Sequence, residues 1–141
     1  MVTPTKIDRA KSLEQLDSQD WGDPETAETL MIGRVLALRR KPLRELTDGE
    51  LRLAVGQKVG FPIILELAIE RLRSDPLIEG DNYSGDLLAA LVRLDEEDWE
   101  GRDDLRAGVA ALFRQAMELS SEAADVFREA LQLPPSGGRS N

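Results

Sequence analysis

The sequence predicts an all-α fold. Apolar residues recur at helical spacing almost throughout, capping and breaking signals punctuate those runs, and no convincing period-two run competes with them. The one ambiguous stretch, Phe61 to Leu65, is assigned to helix by its length and its continuation. About six to eight helices follow, in a single compact irregular bundle. At 141 residues the chain has the length of one domain with one buried core. The expected organisation is a helical domain over 1–133 and a flexible tail over 134–141, where Pro134-Pro135-Ser136-Gly137-Gly138 and the residues after it offer too little apolar surface to offset the entropy of ordering.

Asp23-Pro24 opens a helix expected to run through Met31, Val35 and Leu38. Thr47-Asp48-Gly49-Glu50 has the pattern of a capping box, so a helix starts near Asp48 and presents Leu51, Ala54 and Val55 on one face. Pro62 is pre-set for a first helical turn. From it Ile63, Ile64, Leu65, Leu67, Ala68, Ile69 and Leu72 form an apolar run with Glu66 as its early polar interruption, the mark of a central helix. Ser74-Asp75-Pro76 ends it, because a residue before proline is pushed out of helical geometry. Ser84 is placed to cap a helix carrying Leu87, Leu88, Leu91 and Val92. Leu105, Val109, Leu112, Phe113 and Ala116 mark another helix, and Ala123, Phe127, Ala130 and Leu131 a further one, with Ser120-Ser121 as the break between them.

Composition narrows the function. The chain has no cysteine and no histidine, which removes thiolate chemistry, disulfides, the usual general base near neutral pH and the commonest metal ligand. No cofactor is expected, and the expected protein is not an enzyme. The N-terminus lacks the apolar run of a signal peptide and no window approaches the roughly 18 apolar residues of a membrane span, so a soluble, cytoplasmic protein without a membrane partner is expected. With 18 basic and 27 acidic residues the net charge is -9, which disfavours direct nucleic-acid binding and suits a basic protein partner.

The charge is unevenly placed. Residues 13–29 carry six acidic and no basic groups, residues 34–58 seven basic and three acidic, and residues 79–104 ten acidic and two basic. Arg39-Arg40-Lys41, with Arg34 and Arg44, is either a phosphate-binding patch or a set of helix-end charges paired with the acidic stretches beside it; the second reading is preferred. Trp21 and Trp99 are expected in the core, yet Trp99 lies within Asp95-Glu96-Glu97-Asp98-Trp99-Glu100, a ring among carboxylates suited to Arg and Lys of a partner. Asp81-Asn82-Tyr83-Ser84-Gly85-Asp86 is superficially like a calcium loop. Counted from Asp81, however, Tyr83 falls at a ligand position, Asp86 where glycine is needed and Val92 where the last glutamate belongs. Gly80 and Gly85 read as turn residues and Asp86 as a first-turn helix charge.

Two segments, Leu38-Arg39-Arg40-Lys41-Pro42-Leu43-Arg44-Glu45-Leu46-Thr47 and Glu79-Gly80-Asp81-Asn82-Tyr83-Ser84-Gly85-Asp86-Leu87-Leu88, carry a family resemblance. Together with Asp20-Trp21-Gly22, Gly56-Gln57 and Gly60-Phe61-Pro62, the chain over residues 12–100 resembles the immunity proteins of contact-dependent growth inhibition systems. It departs from their pattern at Asn82, where an aromatic is common, and at Ser84, where proline is. The resemblance implies a bacterial protein that binds the cognate C-terminal toxin domain and neutralises it by stoichiometric occlusion, the toxin being a nuclease in many such systems. The residues expected to meet the toxin are Glu79, Asp81, Tyr83, Asp86, Asp95, Glu96, Glu97, Asp98 and Trp99. The alternative is a helical regulatory adaptor for a basic protein of the same cell.

Overall fold

A computed structural model describes residues 7–131. Among these residues there are seven α-helices and no strand: α1 (Leu13–Asp17), α2 (Leu30–Arg39), α3 (Asp48–Gly56), α4 (Ile63–Ser74), α5 (Asp86–Val92), α6 (Asp103–Met117) and α7 (Glu122–Ala130). Single 3₁₀ turns occur at Pro24–Thr26, Leu43–Glu45 and Glu96–Trp99. The all-α expectation holds. The tail expected from 134 lies outside the described residues. The chain divides into two compact units, one ending at Thr47 and the other beginning at Asp48.

In the first unit, Ser12 and Gln15 form a reciprocal capping box at the head of α1. The helix at Pro24 stops after one 3₁₀ turn, and α2 begins only at Leu30, where the Thr29 hydroxyl accepts from Ile32 N at 3.1 Å. The cap at Thr29 therefore overrides the proline signal five residues earlier. Backbone bonds from Leu43 N to Lys11 O and from Arg44 N to Arg9 O, both 3.0 Å, tie the turn after α2 to the segment before α1. Leu13, Leu36, Leu38, Leu43 and Leu46 are buried.

In the second unit, α5 lies against α3, α4, α6 and α7. Its short, almost wholly apolar sequence is explained by that central place: Leu87, Leu88, Ala89 and Leu91 are all buried. The expected core residues Ile64, Leu65, Ala68 and Ile69 of α4 are buried too. Complete burial of such a side chain is worth about 1.5–3 kcal/mol. Asp75, before Pro76, is extended (φ -157°, ψ 102°) and ends α4 as expected. Ser121 caps α7 by accepting from Ala124 N at 3.1 Å, and the Arg128 guanidinium closes the α6–α7 turn by donating to Met117 O and Leu119 O, each at 2.8 Å. One cap is corrected. Gly85, not Ser84, precedes α5, with φ +86° and no room for a side chain, since a Cβ there would come within 2.6 Å of the Phe127 ring.

Candidate acidic binding surface

The loop 79–86 is built from within. Gly85 N donates to Leu77 O and Ile78 O, and Glu79 pairs with Ser84 in an isolated antiparallel bridge. The Asp86 carboxylate, 1% exposed, accepts from Gly80 N at 2.5 Å and from Asn82 N at 2.8 Å. A buried acceptor with two backbone donors fixes the loop, and removing it would strand both N–H groups. Asp81 reaches over Gly49 in the first turn of α3, where a Cβ would lie 2.1 Å from its Oδ1. Tyr83 is half-buried, and Arg93 donates to Ala130 O at 2.8 Å beside it. Glu79 and Asp81 remain exposed. Asp86 was expected at a binding surface, but its burial makes it the internal support of this loop.

The turn 95–99 carries charge outward. Asp95 N donates to Asp98 Oδ2 at 2.8 Å, closing a capping box around Glu96–Trp99. The Lys58 ammonium sits between Asp95 Oδ2 (3.0 Å) and Asp98 Oδ2 (2.9 Å), and Arg102 donates to Asp98 O at 3.1 Å with its guanidinium 5.8 Å from the Phe61 ring. Arg106 pairs with Glu96. The hydrogen bond from Lys58 holds the Asp98 carboxyl below the usual aspartate range, and the bonds to Asp98 and Asp95 raise Lys58 in return. The bond from Arg106 likewise lowers Glu96. These pairs stand largely in water, so they position the turn more than they stabilise the fold.

What remains unneutralised is informative. Glu97, Glu100 and Asp104 are exposed and have no cationic partner among the described residues. They stand in or beside an open depression of about 460 Å³ lined by Glu96, Glu97, Trp99, Glu100, Gly101, Asp103 and Arg106. Trp99 is 4% exposed. The expectation of a ring standing open to a partner's cations is thus corrected to a buried ring whose edge lines the depression. Sequence reading missed Asp103, Asp104 and the contribution of Glu100 to this surface, although the acidic run continuing past Trp99 was a signal for them.

The other acidic segment is organised differently. Arg39, 1% exposed, makes a two-pronged contact with Asp17 (2.9 and 3.0 Å), donates to Gln19 O at 2.8 Å and lies 3.8 Å from the centre of the Trp21 ring. Its bond lowers the Asp17 carboxyl. Arg40 reaches Glu14 (3.3 Å), Asp20 (3.5 Å) and Gly22 O (3.0 Å). The arginine pair therefore has the structural role preferred from sequence, whereas Trp21, expected in the core, is 48% exposed.

Each resolved carboxylate shift, at Asp17, Glu96 and Asp98, runs downward under a cation, opposite to what a general acid requires. Among the described residues no group of acidic side chains is arranged to hold a metal ion, and no helix is long and apolar enough to cross a membrane. A helical scaffold that locks part of its acidic charge and holds the rest open belongs to the class of charge-presenting binding proteins. Within that class, the chain belongs to the CDI immunity proteins, whose family model matches residues 15–109. The match takes in both acidic segments and the arginine pair. No curated protein and no solved structure matches the chain.

Proposed function

We propose that the chain neutralises a cognate toxin domain of basic character, a nuclease in the simplest case, by stoichiometric occlusion in the bacterial cytoplasm and without chemistry of its own. The observation that carries this reading is the set of exposed carboxylates Glu97, Glu100 and Asp104 left without cations around the depression at Trp99. A nuclease has a positive substrate groove. Opposed carboxylates would steer its approach toward about 10⁸ M⁻¹s⁻¹ at low salt and mimic the phosphates it binds. Covering such a groove takes about 800 Å² from each partner. Glu79, Asp81 and Tyr83 extend the proposed surface, and Asp95, Glu96 and Asp98 hold its turn in shape. Membership of the immunity family supports the toxin as partner.

The test is co-expression of this protein with the toxin domain encoded upstream of it in a susceptible cell. Growth should be rescued, and the two proteins should copurify in equal amounts with a Kd of about 1 nM or below. Rescue without a detectable complex would reject occlusion.

A further inference from the structure

The first unit carries an apolar surface that the acidic turn does not account for. Its exposed large apolar side chains are Leu16, Trp21, Leu30, Met31 and Ile32, against Val92, Leu119 and Val126 in the second unit. Leu30, Met31 and Ile32 are consecutive, and Leu30 is 83% exposed at the very start of α2. Because Thr29 caps the helix there, all three side chains are fixed in the first turn of a ten-residue helix. Beside them runs an open groove of about 440 Å³ between the 3₁₀ turn and α2, floored by Pro24, Ala27, Gly33 and Ala37. Gly33 keeps it open: a Cβ there would lie 3.2 Å from Pro24 O and 3.6 Å from the Ala27 methyl.

Charge decides what fits it. Of the six carboxylates in residues 13–29, Glu14, Asp17 and Asp20 are bound by Arg39 and Arg40. Glu25 and Glu28, both exposed, keep no cationic partner among the described residues, and Glu28 lines the groove. An apolar centre with an unneutralised acidic rim repels a second copy of itself and accepts an apolar side chain flanked by Lys or Arg. We propose that this groove is a second contact site for the basic toxin domain, supplying the desolvated apolar anchor that the acidic turn lacks. The proposal rests on the toxin-binding reading above. In it, Leu30 and Met31 govern how long the complex lasts, while the open carboxylates of the turn govern how fast it forms.

The experiment compares wild type with a Leu30→Ser/Met31→Ser variant, using an inactivated form of the toxin domain encoded upstream as the probe and surface-captured kinetics as the readout. Both side chains are exposed, so circular dichroism and Tm should be unchanged. Dissociation should accelerate tenfold or more, with association within twofold of wild type. Dissociation within twofold of wild type would overturn the groove and leave the immunity reading intact, whereas failure of wild type itself to bind would sink that reading first. A wild-type dimer in solution that the variant abolishes would assign the face to a second copy and likewise overturn the proposal.

Discussion

The two acidic segments look alike in sequence and differ in what surrounds them. In residues 13–29 the arginines of α2 take up Glu14, Asp17 and Asp20, and a tryptophan lies over one guanidinium. In residues 79–104 one carboxylate is buried under backbone donors, three are held by Lys58 and Arg106, and Glu97, Glu100 and Asp104 are left open. Density of charge along a chain is therefore a poor guide to its reach. A carboxylate with a cation at 2.9 Å has little field left for a partner, while an exposed and unpaired one acts out to about a Debye length, roughly 8 Å at physiological ionic strength.

The largest effect should come from the scaffold beneath both behaviours in the second unit. Leu65→Ala in α4 should lower stability by about 2–5 kcal/mol in a denaturant melt. The one-domain organisation we propose from chain length predicts a single transition in that melt, and two resolved transitions would contradict it. Next in size is a contrast between two acidic residues of the same segment. Asp86→Ala should cost roughly 1–3 kcal/mol because Gly80 N and Asn82 N lose their acceptor, while Glu97→Ala should stay within about 0.5 kcal/mol. Equal losses from the two would erase the distinction between supporting and open carboxylates.

A smaller effect separates paired from open groups by pH. Asp17, Glu96 and Asp98 have folded pKa values below their unfolded ones, so their contribution is present above about pH 4, where the unfolded carboxyls are ionised, and is lost as pH falls through the lower folded values. Asp98→Asn should therefore lower Tm at pH 7 by more than it does at pH 3. A difference that widens toward acid would mean that Lys58 does not hold Asp98 ionised.

Much of the scaffold was legible because its signals are local. The apolar run from Ile63, the break at Asp75-Pro76 and the cap at Ser121 each act over a few residues, and each helix boundary they imply is present. The two displaced helix starts are instructive. At Pro24 a proline was read as a helix start, although Thr29, with its hydroxyl on Ile32 N, carried the stronger capping chemistry. At Ser84 a capping residue was preferred over its neighbour, but packing against Phe127, more than 40 residues away in sequence, demands glycine at 85. The candidate surface was legible only as charge. Which acids are neutralised depends on Lys58 and Arg106, and the reach from Lys58 to Asp95 spans 37 residues. Nothing in the local pattern around Trp99 reports that distance.

The central claim is that the open carboxylates of the turn 95–104 face the toxin. Its most direct test is the association rate of the toxin domain with a Glu97→Lys/Glu100→Lys variant, beside a control reversing the paired Glu14 and Asp17, at low and at physiological salt. Charges free of partners should dominate the encounter, so the first variant should associate about fivefold more slowly or worse at low salt, with the deficit shrinking as salt rises and the control changing less. An association rate unchanged by reversing Glu97 and Glu100, or slowed as much by the control, would contradict the account.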